Sequence, residues 1–458
     1  MLRLFFISAA SLLFIACSSQ NQLPRKPVEM VIADPEPSHE NGNEKNSKPP
    51  AEPEPVFIPE RAKDSILDPK IKSVRFRQKG SDFSLPILEL NAPGRIELSF
   101  DDLRGDLRNY SYLIKHHNAD GSISLLTENE YIDGFPTNYI DSYTYSLNTL
   151  QPFVHYTLEL PNQNVQFLKS GLYTVHVFAN NNPEETILIQ KFYILEQRVS
   201  IEAEVKRATM VSKREEYQEV DFVIQTGDYT IDDPFSGLYV EIQQNGRTDN
   251  KAKGLKPIFI RDNLIDFNLE GPNVFKGGNE FRYVDMRSIR FLGDQIKKSE
   301  QGDSLQHIYL INDPKRSFQV YTEMYDINGE RVYNTTDGSD PDREADYVWT
   351  HFTLPYSYEI DQPVYVFGAL SGWKLLPEFK MEYNEERGAY EAQILLKQGY
   401  YNYGYAIDSE DSGADLQFFE GSHFQTENQY QILVFNRKPG TRYDALVGFT
   451  SLNSRTGF

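Results

Sequence analysis

The sequence predicts an all-β protein, built as tandem β-sandwich domains behind a signal peptide and a disordered tether. Short alternating apolar segments recur about every ten residues between turn signals. No stretch sustains the 3.6-residue period of an amphipathic helix, so helices are expected to be few. Tyrosine and phenylalanine, at 29 each against 2 tryptophans, supply the aromatic residues that strands favour.

The opening sixteen residues hold Arg3, an apolar run from Leu4 to Ile15 and a terminal Ala16. That is the form of a secretory signal, and its apolar run is too short to span a bilayer. Cys17 follows, the single cysteine of 458 residues, so no internal disulfide can form. The stretch Leu13-Phe14-Ile15-Ala16-Cys17 resembles a lipobox, with Phe14 where leucine is commoner. Cys17 is therefore the expected lipidation site; a free catalytic or metal-binding thiol is the alternative. Several acyl chains would hold the protein at a membrane where one would not. The later sequence has no long apolar run, so the expectation is an anchored chain, not a spanning one.

From Ser18 to about Arg61 lie nine of the 25 prolines, and Phe57 is the only aromatic residue. Such composition cannot form a core. As a semi-flexible tether of about 45 residues it has an rms reach on the order of 40 Å. The net charge of −21 repels nucleic acid and anionic lipid heads, which disfavours a nucleic-acid role.

The expected boundaries are 1–16 for the signal peptide, 17–65 for the tether, and 66–198, 199–345 and 346–458 for three sandwich domains. In the first, strands are expected at Val74–Arg77, Ile87–Leu90, Ile96–Phe100, Tyr110–His116, Tyr156–Leu160, Tyr173–Phe178 and Ile187–Leu195. In the second they are expected at Tyr239–Gln243, Leu264–Leu269 and Phe318–Tyr325, the last running into a hairpin turn at Asp326-Ile327-Asn328-Gly329. The acidic loop Asp337–Asp342 reads as a linker into the third. There, Val364-Tyr365-Val366-Phe367-Gly368, Trp373, Met381, Tyr390–Ile394 and Gly399–Tyr403 follow in an order that resembles immunoglobulin-like, early-set domains of the glycogen-binding type.

Candidate chemistry is sparse. There is no nucleophile elbow, phosphate loop or His-Glu-x-x-His helix. The 67 acidic residues place some carboxylates together by chance, none framed for acid–base work. His116 and His117 are adjacent on a strand and point to opposite faces, so they cannot share an ion. Glu420, His423 and Glu427 would share a helical face, although Gly421 and Ser422 favour a turn. Asp337, Asp340, Asp342 and Glu344 carry the hard oxygens calcium takes, or form a solvated linker. Tyr401, Tyr403 and Tyr405 alternate on one strand face near Trp373, either as a sugar-stacking platform or as sandwich core. No cofactor and no metal site is expected, and the chain is not expected to be an enzyme.

Several runs together carry a family resemblance: Ile96-Glu97-Leu98-Ser99-Phe100-Asp101-Asp102-Leu103, Tyr131-Ile132-Asp133-Gly134-Phe135-Pro136, Gly278-Asn279-Glu280-Phe281-Arg282, Glu420-Gly421-Ser422-His423-Phe424 and Arg442-Tyr443-Asp444. The chain resembles the type IX secretion system plug family of Bacteroidota, formerly a family of unknown function. One departure is His116-His117-Asn118-Ala119-Asp120-Gly121, where the family carries a His-Cys-x-Ala-Asp-Trp run. The resemblance implies a non-enzymatic lipoprotein at the outer membrane, facing the periplasm. It implies a partner, the translocon barrel, whose periplasmic mouth the plug closes reversibly when the extracellular gate partner is absent. Ser18 and Ser19, with no acidic run after Cys17, fit the inner leaflet rather than surface export. The alternative is an outer-membrane carbohydrate-binding lipoprotein using Trp373, Tyr401, Tyr403 and Tyr405.

Overall fold

The computed structural model describes residues 61–409 and 413–457. The expected signal peptide, Cys17 and the tether up to residue 60 lie outside the described residues. Residues 61–65, inside the expected tether, are part of the described fold. Ala62 N donates to Gly121 O at 2.7 Å, and Ser65 and Ile66 pair with Ile189 and Leu188. So short a strand carries no alternation that a sequence could reveal. Among the described residues strand accounts for 47% and helix for 8%, and every α-helix is a single turn of four residues.

The first sandwich has two sheets. One runs Ser65–Ile66, Thr186–Leu195, Gly171–Ala179, Tyr110–His117, Thr137–Tyr139, with Ile87–Glu89 parallel to Thr186–Leu195. The other runs Ile71–Gln78, Ile96–Asp102, Val154–Leu160, Ser142–Tyr145. Between them Phe100 stacks on Tyr156 at 5.2 Å, and Tyr110 stands edge-on to both at 5.6 and 4.9 Å. The phenols keep partners inside this core: Tyr110 OH donates to Asp102 Oδ2 at 2.8 Å and Tyr156 OH to Arg108 O at 2.9 Å. An aromatic ring buried with its hydroxyl satisfied retains the full gain of burial, roughly 2–3 kcal/mol.

In the second sandwich, Ser200–Arg207, Tyr217–Gln225, Leu264–Asp266 and Phe259–Arg261 form one sheet, with Val274–Lys276 beside Tyr217–Gln225. The facing sheet is Lys251–Lys253, Leu238–Gln244, Gln429–Asn436, Ala445–Asn453. Its core joins Val220, Phe222 and Ile224 to Val240, Ile242, Tyr430, Ile432 and Val434. The third unit is a ten-stranded sheet from Arg282–Asp285 through Gly399–Ser409 to Ile296–Gln301. Val284 from one end and Ile296 from the other lie in one buried cluster, so the sheet wraps around a shared core.

Two sheets therefore cross the boundary expected at 345/346. Leu238–Gln244 pairs throughout with Gln429–Asn436, and Arg282–Asp285 pairs with Tyr400–Tyr403. The chain leaves the second sandwich after Lys276, builds the third sheet, and returns at Gln429 to complete the second. Alternation within a strand says which face is inward but not which distant strand lies beside it.

The strand expected at Phe318–Tyr325 does not form a ladder, and the strand at Leu264 stops at Asp266. The expected turn does form. Asn328 and Gly329 both take positive φ, 54° and 79°, and Glu330 N donates to Ile327 O at 3.0 Å, the form of a type I′ hairpin turn. Its outgoing arm, Arg331–Tyr333, pairs with Gly399–Tyr401 instead of with the incoming arm.

Candidate functional site

The residues singled out for sugar stacking are core. Trp373 is 6% exposed, Tyr401 and Tyr403 1%, and Tyr405 0%. The three tyrosines do share one strand face, but it points inward. Tyr403 OH and Tyr405 OH donate to Asp313 Oδ2 at 2.8 and 2.7 Å, and Tyr401 OH donates to Lys397 O. Trp373 sits edge-on to Phe281 and Phe367, with the Arg247 guanidinium 5.2 Å from its ring. The exposed rings that a carbohydrate platform needs are absent at these positions. Tyr403→Phe is expected to lower stability by about 1–2 kcal/mol through the lost hydrogen bond to Asp313, with no change in polysaccharide retention on an affinity gel.

The other candidates are also held by neighbours. His116 and His117 face opposite ways. His116 Nε2 lies 3.3 Å from Ser170 O, while His117 Nε2 meets Thr174 Oγ1 at 2.8 Å and its Nδ1 meets Gly121 O at 3.1 Å. Burial pushes the His116 ring down to about 4. Asp337 accepts from Ser288 Oγ and Ile289 N, Glu344 accepts from Ser339 N and Asp340 N, and Asp342 pairs with Arg75. Glu427 accepts from Asn328 Nδ2 at 3.2 Å, and the helix ends at Gly421 before reaching His423.

Asp101 has the partners of an acid–base centre but not the access. His155 Nδ1 lies 2.6 Å from its Oδ1, and Lys397 Nζ and Tyr347 OH each donate to its Oδ2 at 2.7 Å. Burial alone would raise the Asp101 carboxyl, but Lys397 and His155 more than offset it and hold it below the usual carboxylate range. Asp101 is fully buried, Lys397 and His155 nearly so. The cluster ties the first sandwich to the third sheet and offers substrate no approach.

The family-like runs interlock across the chain. His423 N donates to Gly278 O at 2.8 Å, Gly278 N to Ser422 Oγ at 3.1 Å, and Asn279 Nδ2 to Glu420 O at 2.8 Å. A methyl on Gly277 would meet His423 O at 2.0 Å, so a side chain there would part the two segments. Likewise Ala119 N donates to Asp444 Oδ2 at 2.9 Å, and Arg442 pairs with Glu130. The divergent loop 116–121 is thus fastened by Asp444 and by His117.

Beneath this junction, burial pushes the Glu280 carboxyl up to about 7, against hydrogen bonds from Tyr321 OH and Glu427 N. Its folded value lies above the ordinary 4.5. The folded state therefore binds more protons between those limits, and stability falls as pH rises through that window. The effect is roughly 3 kcal/mol at most. Urea unfolding midpoints should show Glu280→Gln flattening that decline; an unchanged slope in the variant would refute it.

What remains is surface. Among the described residues, half of the exposed large apolar side chains fall between Ile66 and Leu168, on the first sandwich. At one edge of that sandwich, the terminal strands of both sheets follow each other in the chain, Thr137–Tyr139 and then Ser142–Tyr145. All four residues of Ser142–Tyr145 are exposed. Tyr143 lies 6.1 Å from both Tyr145 and Tyr156, and Arg343 Nε donates to Tyr145 O at 3.2 Å, so this edge is held in place. Tyr139, Tyr143 and Tyr145 escaped the sequence reading, because Tyr-x-Tyr alternation is visible there but its outward direction is not.

Residues 71–196, which make this sandwich, match the family described as the type 9 secretion system plug protein 1st domain. The chain belongs to the type IX secretion system plug family. A crystal structure of a hypothetical protein from Parabacteroides merdae is 32% identical, with a TM-score of 0.83, covering 86% of this chain and 99% of that one. Among curated proteins none matches. The plug family is a family of non-enzymatic secretion components. Its first domain in this chain is the one that carries the exposed tyrosine edge.

Proposed function

We propose that this chain is a lipid-anchored plug that reversibly closes the periplasmic side of the type IX outer-membrane translocon barrel. The observation that carries the reading is the match of residues 71–196 to the plug family's first domain. A plug must resist deformation as a body, and buried ties such as Lys397 to Asp101 join the sheets that would otherwise hinge. It also needs adhesive surface, for which Tyr139, Tyr143, Tyr145 and the loops at that sandwich edge are the candidates.

Lipid on Cys17, in the outer membrane and facing the periplasm, would confine the plug beside its barrel. Confinement replaces a search through solution by an effective concentration of order mM, so capping can be reversible without extreme intrinsic affinity. The test is purification of the tagged lipoprotein from detergent-solubilised outer membrane of its host, with mass spectrometry of the partners. Stoichiometric recovery of a giant barrel subunit is expected. Recovery of no barrel, or of glycan-uptake proteins instead, would overturn the reading. Cys17→Ser should reduce barrel occupancy in cells at least tenfold while leaving the urea midpoint of the folded part unchanged.

A further inference from the structure

We propose that Val320–Asp326 is an unpaired strand that captures an extended, basic segment of a protein partner by strand addition. Resting on the plug reading, the inference places that segment on the barrel subunit.

The sequence Val320-Tyr321-Thr322-Glu323-Met324-Tyr325 is rich in strand formers, and it leads into the type I′ turn at Asn328-Gly329 that prepares a hairpin. The partner arm has gone elsewhere: Arg331–Tyr333 is paired with Gly399–Tyr401. Among the described residues, Val320–Asp326 makes no backbone-to-backbone hydrogen bond. Thr322 Oγ1 reaches Val320 O only at 3.5 Å. Such a row of open donors and acceptors is what an added strand pairs with.

The segment is nevertheless held. Asp313 is fixed by Arg282, Tyr403 and Tyr405, and Arg316 Nε donates to Glu420 Oε2 at 2.5 Å. Tyr321 OH donates to Glu280, Asp326 accepts from Phe281 N, and Ile327 N donates to Asn402 Oδ1 at 2.6 Å. Between these pegs Phe318, Val320 and Tyr325 stand 78%, 89% and 86% exposed. A long connection without secondary structure is uncommon in a compact fold and is usually functional. One that is pinned while presenting apolar side chains has already lost the entropy that binding would otherwise cost.

Charge selects the partner. Glu216, which accepts from Gln417 Nε2 at 2.8 Å and has no cationic partner among the described residues, lines a depression of about 460 Å³ together with Val320, Tyr321, His423 and Glu215, the last already paired with Arg207, in a chain of net charge −21. A lysine or arginine on the added strand fits that rim, and an acidic strand is repelled.

The experiment is hydrogen exchange with mass spectrometry on the full lipoprotein, alone and in the complex recovered with the barrel. Amides of 320–326 are expected to exchange freely alone and to slow at least tenfold in the complex. The triple variant Phe318→Ser, Val320→Ser, Tyr325→Ser should recover at least tenfold less barrel at an unchanged urea midpoint. If the wild type brings the barrel but 320–326 stays unprotected, this inference fails and the plug reading stands. If the wild type brings no barrel, the plug reading fails and takes the inference with it. Protection in the isolated chain also overturns it: protection at every concentration points to the chain's own 18–60 segment, and protection that rises with concentration points to a second copy.

Discussion

Lys397→Met is expected to destabilise the protein by about 3–5 kcal/mol, since removing one partner leaves a buried charge uncompensated. The substitution keeps the side-chain stem against Phe153, whose ring lies 4.2 Å from the ammonium, so the loss is electrostatic and not a cavity. Asp101 would retain Tyr347 OH and His155, but without Lys397 its burial should drive the carboxyl upward. A carboxyl raised above its unfolded value stabilises only below that value, so the variant's deficit should be larger at pH 7 than near pH 4. Asp101→Asn combined with Lys397→Met should recover much of the loss, because neither charge remains. Urea unfolding across the double-mutant cycle measures this. Additivity of the two single variants would sink the assignment of Lys397 as a tie between the first sandwich and the third sheet.

The second large effect is expected at Glu420. Its carboxylate receives Arg282 Nε at 3.1 Å, Arg316 Nε at 2.5 Å and Tyr405 N at 2.9 Å. Burial alone would raise this carboxyl, yet Arg316 and Arg282 hold it below the ordinary value. Glu420→Gln keeps the shape and one acceptor but leaves the nearly buried Arg316 guanidinium without a carboxylate, while Arg282 keeps Asp313, at a cost of about 3–5 kcal/mol. The change should also be visible locally: the amides of Arg316 and Ile327, bonded to Phe419 O and Asn402 Oδ1, should exchange faster than in Glu280→Gln. Equal exchange in the two variants would show that Glu420 does not hold the 313–327 segment.

The all-β class and the first sandwich were legible because their strands alternate in register with a buried face, as in Val154–Leu160, and because turns punctuate them. The strip Tyr401, Tyr403, Tyr405 was legible as a face, but both proposed uses predict the same alternation, and only packing against Asp313 separates them. The crossing of sheets between Leu238–Gln244 and Gln429–Asn436 left no local trace, since pairing partners are chosen by the whole fold. Phe318–Tyr325 is the instructive case. Its propensity was read as a strand, and propensity alone does not supply the neighbour that turns an extended segment into a ladder. The tyrosine edge at 139–145 was missed for the reverse reason: a pattern of period two does not say which side faces water.

The route by which the chain returns to its middle sandwich also sets an order of biogenesis. Gln244 Nε2 bonds Tyr430 OH across 186 residues, and closing an unstructured loop of that length costs on the order of 5 kcal/mol. A chain released from its amino end first can finish the first sandwich, yet must leave the apolar face of Val240 and Ile242 uncovered. The third sheet shortens that loop by drawing Gly278 to His423, and only then can Ile432 and Val434 cover it. The middle core thereby works as a completion check, open to proteases in any chain stalled or cut before Gln429 and closed in a finished one.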